Sequence, residues 1–128
     1  MTNPDLDINS YLGNIYTYPP CWDLVTDLYV KELGIKLINY NSVNHSTRAV
    51  AEAFRLALHK KELNFQKEQS PEDYDIVLLG ASSKLGLHHC GIYYKGRILH
   101  AIDSGNLFET ISTIKDKYPL VEYWRYLN

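Results

Sequence analysis

The stretch Leu87–Ala101, "LHHCGIYYKGRILHA", carries three histidines (His88, His89, His100) and one cysteine (Cys90). At its centre, Lys95-Gly96 within "YYKGRI" reads as a two-residue hairpin loop, the glycine taking positive φ in a primed turn. Tyr94 then pairs with Arg97, Tyr93 with Ile98, and Gly91 with His100. Side chains alternate along each strand and paired residues share a face. His89, Gly91, Tyr93, Ile98 and His100 therefore fall on one face, and His88, Cys90, Ile92 and Leu99 on the other. His89 and His100 become diagonal neighbours, roughly 7–8 Å or less apart at Cβ.

Outward from the hairpin, "DIVLLG" (75–80) is a short β-branched run expected as a buried strand, and "LVEYWRYL" (120–127) an alternating closing strand. "LFETISTIKDKYP" (107–119) has room for a short helix, and "KEQSPEDYD" (67–75) reads as a polar connector. Upstream, Pro19-Pro20 suits the first turn of a helix, where a missing N–H costs nothing. Trp22, Leu24, Val25, Leu28, Tyr29 and Leu33 make a helical stripe that Gly34 ends, which predicts a helix over 20–33. A second helix is expected over 46–61, capped by Ser46 or Thr47, with Ala49, Val50, Ala53, Phe54, Ala57 and Leu58 inward. Residues 1–10 read as a loose lead-in. Helices first and strands after predict an α+β fold with an antiparallel sheet.

The chain has 128 residues, so one domain spanning 1–128 is expected. A net charge of −2 gives no basic footprint for nucleic acid. No apolar run reaches the ~20 residues of a membrane helix, and "MTNPDLDINS" has neither the basic nor the apolar region of a secretory signal. No membrane partner is expected, and the chain reads as made in the cytoplasm. Eleven tyrosines against three Phe and two Trp suit a partly wet cleft, or equally a set of half-exposed structural positions. Two cysteines, Cys21 and Cys90, could pair, but a disulfide framework is not the default for such a chain.

Three chemistries compete for the histidine cluster. A zinc site needs three or four convergent ligands. The hairpin converges only two, His89 and His100, with Cys21 available as a third. Two unrelated histidines on a strand pair would be the plain structural outcome. Gly91 between them weighs toward function, because a strand glycine often marks close approach of a ligand or backbone. The third chemistry is nucleophilic: a thiol needs a base within hydrogen-bond reach, and that base needs an orienting group. Cys21 at a helix start has the dipole and free N–H groups that favour thiolate. His89 would take its proton and His100 would fix the His89 ring. Cys90, mid-strand and on the opposite face, reads as packing.

These residues resemble a known family. "YLGNIYTYPPCWDLV" followed by "DIVLLG" and "HHCGIYYKGRILHA" is similar to the NlpC-type cell-wall peptidases, papain-like cysteine hydrolases. The phage-tail subgroup, where a Cys-Trp pair opens the first helix, is the nearest likeness. The helix-start motif falls on Cys21, the "His-x-Gly-Ile-Tyr" motif on His89, Gly91, Ile92 and Tyr93, and the third polar residue on His100. Gly13 and Tyr16 match an upstream Gly–Tyr pattern. The chain departs from the family where Pro19-Pro20 replaces a glycine pair, Pro20 the usual Asp, and Trp22-Asp23 the usual Ser-Gly.

The resemblance implies a papain-like α+β fold, with an N-terminal helix bearing the nucleophile packed on a central antiparallel sheet. It implies hydrolysis of an amide bond in peptidoglycan stem peptides, without cofactor or metal. Cys21 would attack, His89 protonate the leaving amine, His100 orient the imidazole, and Tyr16 with the Cys21 N–H stabilise the oxyanion. With no signal peptide, a virion or prophage tail component is the expected setting, with other tail proteins as partners. A cytosolic enzyme recycling wall fragments is the less favoured setting. A non-catalytic tail-assembly protein and a papain-like amidase or acyltransferase on another substrate are the alternatives.

Overall fold

The structure, a computed structural model, describes residues 5–16, 20–37 and 64–127, together with positions 49, 53 and 56. Its centre is one six-stranded antiparallel sheet. The strands are β1 (Phe65–Glu68), β2 (Ile76–Gly80), β3 (His89–Tyr94), β4 (Arg97–Ile102), β5 (Gly105–Thr110) and β6 (Leu120–Tyr126), in the order β1-β6-β2-β3-β4-β5. The helices are short: α1 (Ile8–Leu12), α2 (Pro20–Leu28), which passes into a π-helical turn at Tyr29–Leu33, and α3 (Ile111–Lys117).

This corrects the expected fold class. The described chain is a sheet-rich fold with only short helices against it, not a helix-bearing papain-like α+β domain. Two causes lie in particular segments. The helix beginning at Pro20 sustains nine α-helical residues before the hydrogen bonding widens to the π pattern. Two strands also join the sheet where none was expected. β1 buries one side chain, Phe65, in an otherwise polar run, and β5 is half-buried from Asn106 to Thr110. The expected helix over 46–61 lies outside the described residues except for positions 49, 53 and 56, which are helical.

The hairpin forms with the anticipated register. Tyr94 faces Arg97, Tyr93 faces Ile98 and Ile92 faces Leu99. Lys95 and Gly96 take φ of 46° and 85°, the positive pair of a type I′ turn. β2 is buried along its whole length, as a central strand between β3 and β6 must be. The closing strand β6 and the helix start at Pro20 also form as expected, and Gly34 caps the π turn at φ 68° with N–H bonds to Tyr29 and Val30.

Each sheet face has its own core. Trp22, Leu24, Val25 and Leu28 of α2 pack with Ile76, Leu78, Cys90, Ile92 and Leu99 on one face. Each such side chain contributes roughly 1.5–3 kcal/mol by leaving water. Val77, Leu79, Ile98 and Tyr123 form the other face, closed by Ile114 of α3. The N-terminal segment is not a loose lead-in from Asp5 onward. Leu6 is buried, its N–H donates to the Tyr94 hydroxyl, and Asn106 of β5 donates to the carbonyls of Tyr11 and Asn14.

Candidate functional site

Cys21 is the second residue of α2, and its packing against the sheet brings the thiol to the beginning of β3. There two successive residues of the strand, Cys90 and His89, are the hydrogen-bonding groups that act on its ionisation. His89 Nε2 lies 2.8 Å from His100 Nδ1, with the rings edge-to-face at 5.0 Å between centroids. Nδ1 is thus the His89 ring atom left for the thiol. Cys21, His89 and His100 are 1%, 5% and 1% exposed, so the chain of contacts runs through a nearly dry interior.

Gly91 explains how the two histidines come so close. A Cβ there would lie 2.7 Å from the Leu99 carbonyl, 2.9 Å from Ile98 Cγ2 and 3.0 Å from His100 Cβ. The close approach expected at this glycine is therefore made by β4 itself. Only a residue without a side chain lets His100 settle beside His89.

The electrostatics follow from these contacts. The hydrogen bond from Cys90 is the largest influence on Cys21 and lowers its pKa; burial works against it, and the hydrogen bond and charge of His89 add to the lowering. The net result favours thiolate. Burial, then the adjacent Cys21 sulfur, hold Cys90 protonated by pushing its pKa up. Burial and the neighbouring His89 outweigh Glu109 at His100 and lower its pKa to about 4. His100 is therefore neutral at neutral pH.

Two contributors escaped the sequence. Glu109 of β5 reaches His100 Nε2 at 2.8 Å, and Lys117 grips both Glu109 oxygens at 3.0 and 2.8 Å. Tyr118, just past α3, stacks on His89 at 5.2 Å and meets His100 edge-on at 6.5 Å. A signal for Glu109 was present. Had "NLFET" been taken as a strand returning from the Asp103-Ser104 turn, alternation would have put Glu109 opposite Ile98, on the face of His100. Nothing comparable marks Tyr118, whose place depends on where α3 ends.

Cys90 also does more than pack, since its side chain is bonded to the nucleophile candidate. His88 accepts the Ala81 N–H at 3.1 Å. Tyr16 is held elsewhere: its hydroxyl donates to Asp27 at 2.8 Å and accepts from Asn14 at 3.3 Å. The oxyanion role expected of Tyr16 would require that hydroxyl to leave Asp27. It lines a cleft of about 370 Å³ with Asn14, Ile15, Asp23, Asp27 and Lys31. Among the described residues, no group of three or more His, Cys, Asp or Glu is arranged to hold a metal ion, and no helix is long and apolar enough to cross a membrane.

Compared with known proteins, the chain matches no family model and no curated protein.

Proposed function

We propose that the protein is a thiol hydrolase that cleaves an amide bond in peptidoglycan stem peptides, working as a phage or prophage tail component. One observation carries the chemistry: a thiol with lowered pKa, bonded to a histidine that is bonded in turn to a second histidine. This is the nucleophile, base and orienter that covalent acyl transfer requires. The substrate class and the tail setting come from the likeness of the Cys21 and His89–Tyr93 motifs to the NlpC-type peptidases.

In the proposed reaction the Cys21 sulfur attacks the scissile carbonyl carbon, whose electron pair moves onto oxygen. Backbone N–H groups in the first turn of α2, which have no acceptor within the helix, stabilise that oxyanion. The imidazolium of His89 gives its proton to the leaving nitrogen, the C–N bond breaks, and a thioester remains on Cys21. His89 then takes a proton from water, the hydroxide attacks the thioester, and the thiolate departs.

Digestion of purified peptidoglycan with product identification by mass spectrometry tests this. The wild type should release fragments cut at one peptide bond. Cys21→Ala and His89→Ala should lose at least about 100-fold in rate, while Cys90→Ser keeps most of it. Equal activity in the three variants would end the proposal. The near-complete burial of Cys21 favours a second reading, a non-catalytic tail-assembly protein. Intact peptidoglycan after prolonged digestion would favour it.

A further inference from the structure

Cys21, His89 and His100 do not by themselves decide where the protons sit. We propose that Glu109 is a positioning residue: it sets the tautomer of His100 and thereby makes Nδ1 of His89 the base for Cys21. This rests on the thiol-hydrolase reading above, but its test needs no turnover.

A neutral imidazole has one N–H and one lone pair, and an ionised carboxylate only accepts. Glu109 Oε1 lies 2.8 Å from His100 Nε2, so that nitrogen carries the proton. His100 Nδ1 is then a lone pair, and its 2.8 Å partner, His89 Nε2, must be the donor. The remaining His89 nitrogen, Nδ1, is left without a proton and can accept one from the thiol. When it does, His89 becomes the imidazolium and His100 stays neutral, so one proton still occupies the gap between the rings. Without the carboxylate, the uncharged thiol–imidazole pair can also take a second order. His100 would donate from Nδ1 to His89 Nε2, and neutral His89 would carry its proton on Nδ1. An N–H and an S–H would then face each other, with nothing to receive the thiol proton.

The surroundings maintain the carboxylate in this role. Lys117 bonds both its oxygens, and with His100 it outweighs the effect of burial and keeps Glu109 ionised. The titratable groups facing the histidine pair are Cys21 from α2, Glu109 from β5, and Lys117 and Tyr118 at the end of α3, while Cys90 acts on Cys21 from the other face of β3. Of these, Glu109 alone bonds the outer nitrogen of His100.

The test is ¹⁵N NMR of histidine-labelled protein at neutral pH, with the iodoacetamide reaction rate of Cys21 measured in parallel. The wild type should show protonated Nε2 and unprotonated Nδ1 at His100. Glu109→Ala should show both His100 tautomers and slow alkylation by about tenfold or more. Glu109→Gln keeps a carbonyl oxygen as acceptor and should restore the wild-type tautomer, with alkylation within about threefold of wild type. A folded Glu109→Ala protein with unchanged tautomers would overturn the proposal. So would a proton on Nδ1 of His100 in the wild type, which decides the matter even where the alanine variant fails to fold. Tautomers as predicted support the role of Glu109 whatever the wild type does to peptidoglycan.

Discussion

Cys90 lies beside Cys21 as a thiol kept protonated by burial, and its hydrogen bond is the strongest single influence holding Cys21 toward thiolate. A lowered thiol pKa means the anion persists above that pKa and is lost only as pH falls through it. Cys90→Ala should therefore move the acid limb of thiolate formation to higher pH, whereas Cys90→Ser, still a donor, should leave it near wild type. Ultraviolet absorbance of the thiolate across a pH titration measures this, and an unmoved limb in Cys90→Ala would count against the role. The sequence placed Cys90 on the opposite face from His89, which the register supports. Facing alone could not tell that Cys21 would sit where both faces are within reach. That depends on how α2 packs against the sheet, a tertiary contact no local pattern encodes.

The hairpin β3–β4 was the most legible element, because an αL-compatible Lys-Gly turn fixes register and register fixes faces. β5 was the least legible. Its side chains are half-buried throughout, so it lacks the strong inside–outside contrast that marks a strand. The carboxylate of the site was missed with it. Gly91→Ala forces a methyl against the Leu99 carbonyl and His100 Cβ, and should destabilise by about 1–3 kcal/mol, the usual range for overpacking. It should also separate the two imidazoles, so Cys21 alkylation slows while the fold survives. Denaturant melts paired with alkylation rates check both parts, and a variant as stable as wild type would show that β4 yields more easily than its backbone contacts imply.

Among the described residues, α1 and α2 cover one face of the sheet and α3 the other, which places the thiol on the α2 face and the carboxylate on the edge strand β5, with the histidines between. The sequence showed the central strands and the start of α2. It did not show the balance of helix and sheet, because β1 and β5 carry little apolar signal, and so a papain-like α+β fold was expected. Two networks tie the outer parts in. Arg125 on β6 bonds both oxygens of the buried Asp75 at 3.1 and 2.9 Å and also reaches Glu68 of β1. Arg125→Met leaves Asp75 buried without its cation and should cost about 3 kcal/mol, read by thermal or denaturant melts, without slowing Cys21. The second network is the site itself. The pKa of folded His100, about 4 against an ordinary 6.5, means the unfolded chain binds the extra proton first as pH falls. Stability should thus decline from pH 6.5 toward 4, by up to about 3 kcal/mol, and Glu109 adds to the loss at the acid end. Melts of wild type and His100→Asn across that range test the sign, since the variant should lose most of the slope. The proposed chemistry requires Cys21 to be an activated thiolate served by His89. Iodoacetamide labelling at pH 6.5, mapped by mass spectrometry, asks that directly. Cys21 should react faster than Cys90 and faster than a free cysteine, and His89→Ala should slow it by at least about tenfold. A Cys21 that labels no faster than Cys90, or that is indifferent to His89→Ala, would contradict it.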